Sequence, residues 1–160
     1  MKKIELKAYF DHYVDENELS EEDAHLLKQA KEALKDAYAP YSNFQVGAAA
    51  LLENGEVFLG NNQENAAYPL GMCGERVALF AASAIFPNVP IKAIAIVAQS
   101  NSQVLKVPAS PCGSCRQTIF EKEFRQKQPI RIILQGETGP VYIIHSIKDI
   151  LPLSFDADFL

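Results

Sequence analysis

Two short segments carry side chains able to do metal or acid–base chemistry. One is Cys73-Gly74-Glu75, and the other is Pro111-Cys112-Gly113-Ser114-Cys115. Each falls at the predicted start of a helix, where the helix dipole favours a thiolate over a thiol. Three thiolates from two helix starts can hold one zinc ion and leave its fourth position open. An open position marks a catalytic site, because water there becomes a nucleophile near neutral pH. Glu75 stands two residues from a ligand, so its carboxylate can reach that water without binding the metal.

Other readings of these cysteines exist. A C-x-x-C pair alone is equally half of a structural zinc site, and Cys112-Gly-Ser-Cys115 at a helix start also fits a thiol-disulfide pair. The count of three cysteines is odd. In a reducing compartment such a set reads as metal ligands or redox thiols, not as a structural disulfide. A closed structural zinc needs a fourth protein ligand. His12, His25 and His145 are the candidates; the first two read as surface residues, and His145 ends a strand where it packs or caps. The third cysteine, the glutamate two positions after it and the proline before the C-x-x-C together favour a catalytic zinc.

The chain around these segments is one domain long, at 160 residues, with room for a core of ordinary size. Apolar residues make up 48% and charged residues 22%, which excludes a disordered or fibrous chain. Fifteen basic and 20 acidic residues give a net charge of -5, and the longest basic run is Lys2-Lys3. A nucleic acid is therefore not the expected partner, since it needs a clustered cationic surface. No run reaches the ~18 apolar residues of a membrane helix. Met1 to Tyr13 has no apolar stretch long enough for a signal peptide, so the expected location is the cytoplasm.

The elements that must position the two segments follow from periodicity and breakers. Ile4 to Phe10 alternates as a short strand would. Ser20 reads as a helix N-cap, with Glu21, Glu22 and Asp23 in the first turn. Leu26, Leu27, Ala30, Ala33, Leu34 and Ala37 follow at helical spacing, and Pro40 stops the helix near Tyr38. Phe44 to Leu52 is a strand, Asn54-Gly55 signals a type I′ hairpin turn, and Glu56 to Gly60 returns. Cys73 to Ala84 is a helix, Ile91 to Ala98 a buried strand, and Cys112 to Lys127 a further helix. Ile130 to Leu134 and Val141 to His145 close the series, with one helical turn over Ile147 to Leu151. The alternation implies parallel strands with helices on both faces. The expected fold is an α/β three-layer α-β-α sandwich with a mixed five-stranded sheet. Its last two strands form an antiparallel hairpin, because Leu134 to Val141 leaves no room for a crossover. Residues 1–19 read as an extension without a readable role, and residues 20–160 as a single catalytic domain.

The paired segments match the established zinc-deaminase signature, which is a known motif and not a deduction from spacing. On it the chain resembles the cytidine deaminase family, in the form with three cysteine ligands, from about Ala37 to Phe155. Tyr38-Ala-Pro-Tyr-Ser-Asn-Phe-Gln-Val-Gly47 is similar to that family's first-strand motif, and Asn61-Asn-Gln-Glu-Asn-Ala-Ala-Tyr68 to its ribose-binding loop. The resemblance implies one zinc per chain on Cys73, Cys112 and Cys115, and Glu75 as the acid–base group. It implies that Asn62 and Glu64 bind the ribose 3′-hydroxyl, that Phe44 flanks the pyrimidine, and that Tyr68 lines the pocket. The Gly74 N–H would approach the base carbonyl, and the Ser110 carbonyl would accept from the departing amine. Arg76 would donate to the cysteine sulfurs, withdrawing charge from a site whose three thiolates leave Zn²⁺ at net −1. Arg116 reads as a surface arginine.

The implied activity is hydrolytic deamination of cytidine and deoxycytidine to uridine and deoxyuridine, with ammonia released, in pyrimidine salvage. The implied assembly is a homotetramer in which a neighbour's Phe155, or less favourably Phe159, covers the substrate. The implied substrate is a free nucleoside. Three rivals stand beside this reading: an aminohydrolase of a cytosine-bearing antibiotic such as blasticidin S, a thiol-disulfide oxidoreductase, and a zinc-stabilised scaffold. Asn62-Gln63-Glu64 disfavours the first, because that ligand carries a different sugar.

Overall fold

The computed structural model describes residues 1–160. In chain order its elements are β1 (Asp11–Tyr13), α1 (Glu21–Leu34), β2 (Phe44–Leu52), β3 (Val57–Asn61), α2 (Gly74–Ile85), β4 (Ile91–Ser100), α3 (Gly113–Gln126), β5 (Arg131–Gln135) and β6 (Val141–Ile144). Helix α1 begins as its sequence demands: Ser20 Oγ accepts the Asp23 N–H at 3.2 Å, with three carboxylates in the first turn. It ends at Leu34, short of the expected Tyr38. The Tyr38 N–H instead donates to the Asn62 carbonyl at 2.9 Å, and the Tyr38 carbonyl accepts from Glu64 N–H at 2.9 Å. Tertiary pairing thus outbids the last helical turn and pins the 62–64 loop.

The sheet order is β1-β6-β5-β4-β2-β3. It has six strands, not the expected five. The added strand is Asp11–Tyr13, which pairs antiparallel with β6, while Ile4 to Phe10 is not a strand. The free edge of β6 supplies unpaired backbone groups, and Tyr142 meets Phe10 and His12 in tilted ring contacts at centroid distances of 4.8 and 5.4 Å. His145 neither packs in the core nor caps; its Nε2 lies 2.7 Å from Asp11 Oδ2.

Of the strand pairs only β4–β5 is parallel. β2 pairs antiparallel with both β3 and β4, and β5–β6 is the expected antiparallel hairpin. β3 and β4 therefore run the same way with β2 between them. Helix α2 is the crossover that the alternation required, but it passes over one strand. The β2–β3 turn also differs from expectation. Only Gly55 takes a positive φ, of 87°, and the loop spans three residues, with Gly55 N–H on Leu52 O at 3.0 Å and Leu52 N–H on Glu56 O at 2.9 Å. A type I′ turn needs positive φ at both central residues, so this is the longer hairpin form closed by a left-handed glycine.

Alternation along the strands divides the core in two. Ala49, Ala93, Ala95, Val97 and Ile133 face α1, where Leu26, Leu27, Ala30 and Leu34 cover them. Ala48, Ala50, Ile94, Ile96, Ile132 and Leu134 face α2 and α3, meeting Ala78, Leu79, Ala82, Ile119 and Phe120. The three layers are thus as expected. Buried Glu123 anchors α3: its carboxylate accepts the N–H groups of Ile130 at 2.8 Å and Ile147 at 2.9 Å, and the Ser146 hydroxyl at 2.8 Å. No helix is long and apolar enough to cross a membrane.

Small strand residues let α2 sit close to the sheet. A Cβ on Gly60 would stand 2.3 Å from the Gly74 carbonyl oxygen and 2.5 Å from the Ala78 nitrogen. Gly60→Ala should therefore lower the unfolding free energy by about 1–3 kcal/mol through overpacking. Gly113 has nothing within 4 Å of the same position. Gly113→Ala should change stability by no more than about 0.5 kcal/mol. Urea unfolding of the two variants measures the contrast.

Candidate active site

The first turns of α2 and α3 meet on one side of the sheet. Cys73 is the N-cap residue of α2 and Cys112 that of α3, and neither side chain caps its helix. Both sulfurs are thus free to face the gap between the helices. Cys115 adds a third from one turn into α3, fully buried. The three Sγ atoms all lie within 4.8 Å of one another, and Cys73 and Cys112 are 4.0 Å apart. Three soft donors gathered from two helices, with no histidine or carboxylate among them, fit a zinc ion. None of His12, His25 and His145 joins this group as a fourth ligand.

The thiols share their protons unequally. The Cys73 thiol is lowered to about 5, chiefly by the hydrogen bond it accepts from Cys115, with Arg76 and Cys112 assisting against burial. The Cys115 thiol is pushed up, first because it donates that bond and then because it is buried. A metal held by these sulfurs would displace the proton of Cys115. Arg76 Nη2 stands 3.9 Å from Cys73 Sγ and 3.4 Å from the Gly71 carbonyl. It is a cation beside the sulfur cluster.

Glu75 is 4% exposed, and its Oε2 has no hydrogen-bond partner. Burial, reinforced by the nearby Cys73 thiolate, raises its carboxyl above the ordinary carboxylate range. A buried carboxyl with one free oxygen beside a metal cluster is placed to exchange protons. Gly74 has a packing role as well. A Cβ there would come within 2.9 Å of the Val46 carbonyl oxygen, so only glycine lets α2 begin this close to β2.

A cavity of about 310 Å³ is lined by Tyr41, Ser42, Glu64, Asn65, Tyr68 and Gly71; none of the cysteines lines it, and Gly71 is tied to the cluster through Arg76. Glu64 Oε2 accepts the backbone N–H groups of Tyr41 at 3.0 Å and Ser42 at 3.2 Å, while Oε1 takes the Ser42 hydroxyl. The Ser42 hydroxyl, together with those N–H groups, holds the Glu64 carboxyl below the usual range. Tyr68 is exposed and meets Tyr41 edge-on at 5.9 Å. Asn62 is buried at the root of this loop. Its Oδ1 accepts from Val46 N–H at 2.8 Å and its Nδ2 donates to Phe44 O at 2.9 Å, so half of its capacity goes to holding the start of β2. Half-buried Phe44 is thereby fixed beside the same loop.

Three further placements matter. Ser110 is exposed, and its Oγ accepts from Arg116 Nη2 at 2.8 Å. Phe155 is exposed too; its ring stacks on Phe159 at 5.6 Å and its carbonyl accepts from Gln117 Nε2 at 2.8 Å. Arg116 is not the surface arginine its position in the sequence suggests, because three of its nitrogens are hydrogen-bonded within the protein. Nothing in the local sequence distinguishes it. Tyr41 and Ser42, by contrast, lie inside the Tyr38–Gly47 segment that the sequence does single out.

Comparison with known proteins agrees with this geometry. The family model described as the cytidine and deoxycytidylate deaminase zinc-binding region matches residues 20–128. A cytidine deaminase from Halalkalibacterium halodurans is 40% identical over 133 residues, covering 83% of this chain and 93% of that protein. One from Mycobacterium tuberculosis is 38% identical over 118 residues, covering 72% and 84%. The crystal structure of cytidine deaminase from Burkholderia pseudomallei superposes with a TM-score of 0.72 at 40% identity, over 86% of this chain and 100% of that one. Three clustered thiols at two helix starts, a buried glutamate between them and this likeness along most of its length place the chain in the zinc-dependent cytidine deaminase family.

Proposed function

We propose that the chain hydrolyses cytidine and deoxycytidine to uridine and deoxyuridine, releasing ammonia, as a step of pyrimidine salvage. The observation that carries this is the buried Glu75 carboxyl, with one oxygen free of partners, beside three sulfurs within 4.8 Å of one another. Cys73, Cys112 and Cys115 would hold zinc, which would supply the Lewis acidity that makes water a nucleophile near neutral pH. Glu75 would take a proton from the attacking water, whose oxygen bonds to C4, and deliver that proton to ring N3. It would then carry the proton left on that oxygen to the amino group, so that the C4–N bond breaks, ammonia leaves and the oxygen remains as the C4 carbonyl of uridine. The raised Glu75 carboxyl suits a group that must hold and release a proton in one cycle. Arg76 draws charge from the Cys73 sulfur, which offsets the surplus of three thiolates over a dication.

The remaining residues orient the nucleoside. Glu64, with Asn62 behind it, takes the ribose 3′-hydroxyl. The three donors already on Glu64 fix its carboxylate and leave acceptor capacity toward the cavity. Phe44 flanks the ring and Tyr68 closes the pocket. The Gly74 N–H meets the base carbonyl. The Ser110 carbonyl takes no hydrogen bond from the chain and accepts from the departing amine. A free nucleoside is the substrate and nucleic acid is not, in keeping with the net charge of -5. Three unpaired cysteines suit the reducing cytoplasm. Residues 20–160 form the catalytic unit, and residues 1–19 add an edge strand to its sheet. The active form is a homotetramer in which a neighbour's Phe155 covers the substrate; the exposed ring of Phe155, at 57%, supports this over a role in its own core.

Glu75→Gln should keep about one zinc per chain yet lose roughly 10²–10⁴-fold in kcat, the contribution of general acid–base catalysis. Metal analysis and a loss-of-absorbance assay with cytidine read both, and near-normal turnover would remove Glu75 from its role. Glu64→Ala should lower kcat/KM for cytidine about ten- to a hundredfold, since a hydrogen bond to a charged group contributes roughly 1.5–3 kcal/mol. Native enzyme should prefer cytidine to 3′-deoxycytidine and the variant should not; a surviving preference would return Glu64 to a loop role. Phe155→Ala should raise KM for cytidine about tenfold or more, as burial of a large side chain contributes ~1.5–3 kcal/mol. Sedimentation of the native protein should give a tetramer, and a fully active monomer would count against the shared pocket.

A further inference from the structure

The guanidinium of Arg116 joins two segments that are distant along the chain, Ser110–Pro111 and Ile150. Nε donates to the Pro111 carbonyl, Nη1 to the Ile150 carbonyl and Nη2 to the Ser110 hydroxyl, each at 2.8 Å. Pro111 directly precedes the ligand Cys112, and Arg116 directly follows the ligand Cys115. The Arg116 N–H also closes the first turn of α3 on the Cys112 carbonyl, at 2.9 Å. Ile150 lies beyond the sheet, at the start of the C-terminal segment, packed on the core that α2 and α3 share. The next side chain of the helix, Gln117, holds the same segment at the Phe155 carbonyl.

The C-cap of a strand or a helix can be replaced by water at modest cost, but this arrangement is different. The loop that presents Cys112 enters α3 through Ser110 and Pro111, and neither residue belongs to a helix or strand. Pro111 has no N–H, and the Ser110 carbonyl is unbonded within the chain. The guanidinium therefore ties this loop to α3 and to Ile150. Three donors on one rigid plane meet three acceptors from two segments, a geometry that the single ammonium of lysine cannot reproduce.

We propose that Arg116 is a positioning residue for the deamination, tying the Ser110–Cys112 loop to the C-terminal segment. The positions of the Cys112 sulfur and the Ser110 carbonyl then depend on that segment being docked. The inference rests on the roles of Cys112 and Ser110 given above. It adds that the metal loop and the C-terminal tail are one mechanical unit, so that tail contacts set the geometry at the departing amine. A misplaced ligand releases its metal faster, and a misplaced acceptor slows the chemistry without weakening the grip on the sugar.

The test uses the zinc-loaded full chain and the variants Arg116→Lys, Arg116→Gln and Ser110→Ala. Zinc release to an excess of a coloured chelator, kcat and KM for cytidine, and the thermal unfolding midpoint are measured on each. Arg116→Lys and Arg116→Gln should release zinc about ten times faster or more, and kcat per bound zinc should fall about tenfold or more. KM should shift less than about threefold, because the sugar contacts on Glu64 are untouched. Ser110→Ala removes one arm of the clamp while keeping the carbonyl, and should give a smaller loss of kcat with an unchanged unfolding midpoint. It serves as the readout if the arginine variants fail to fold. Unchanged zinc release and unchanged kcat per bound zinc in folded arginine variants would overturn the proposal, as would a native kcat in Ser110→Ala when the arginine variants do not fold. Absence of cytidine turnover in the native enzyme would instead overturn the functional reading beneath it.

Discussion

The closeness of α2 to the sheet sets the height of everything in the site. Gly60 on β3 lies directly under the Gly74 carbonyl, and Gly74 itself lies against Val46 and Asn61. Packed interiors do not stretch to admit an extra carbon. With glycine at both points the first turn of α2 meets the strands without a side chain between. Cys73 and Glu75 flank Gly74, so one backbone contact places a sulfur of the cluster and the buried carboxyl together. Glu75 is carried into the interior by that approach, and its burial is what raises its carboxyl.

The electrostatics of the site follow from this crowding. Three thiols within 4.8 Å cannot all ionise in a protein without a metal. The Cys73 thiol is lowered by a hydrogen bond from Cys115 and by Arg76, while the Cys115 thiol is raised. A zinc ion held by these sulfurs would take the place of the proton on Cys115, so its binding would release a proton. Glu75 stands beside this balance with an unused oxygen, buried where its interactions with neighbouring charges are weakly screened.

Around the centre, side chains substitute for backbone pairing. Asn62 bonds the Phe44 carbonyl and the Val46 N–H as another strand residue would. Glu64 gathers the Tyr41 and Ser42 N–H groups, and Glu123 those of Ile130 and Ile147. Arg116 does the same for carbonyls. These loops are irregular because their path is dictated by the site, and each buried polar group on that path still needs a partner. The carboxylates, amides and guanidinium supply those partners, and in doing so make the loops rigid enough to hold a substrate.

The sequence by itself determined the local elements and the chemistry. Ser20 and three acidic residues start α1, Phe44 to Leu52 is one strand throughout, and the cysteines sit at helix starts, because capping, periodicity and breakers act over a few residues. The motif around Cys73, Glu75, Cys112 and Cys115 was legible as a match to a known signature in two short segments, although the 39 positions between Cys73 and Cys112 are closed only by the fold. Tertiary structure decided what depends on distant partners. Asp11–Tyr13 became a strand only because β6 offered an edge, and α1 stopped at Leu34 because Tyr38 pairs with the Asn62 loop. β4 skipped past β3 to lie against β2, which the order of elements cannot show. Asn62 and Arg116 each look like ordinary polar residues in sequence. Their partners, Phe44 and Val46 for one and Ser110, Pro111 and Ile150 for the other, are brought within hydrogen-bond reach only by the folded sheet and its helices.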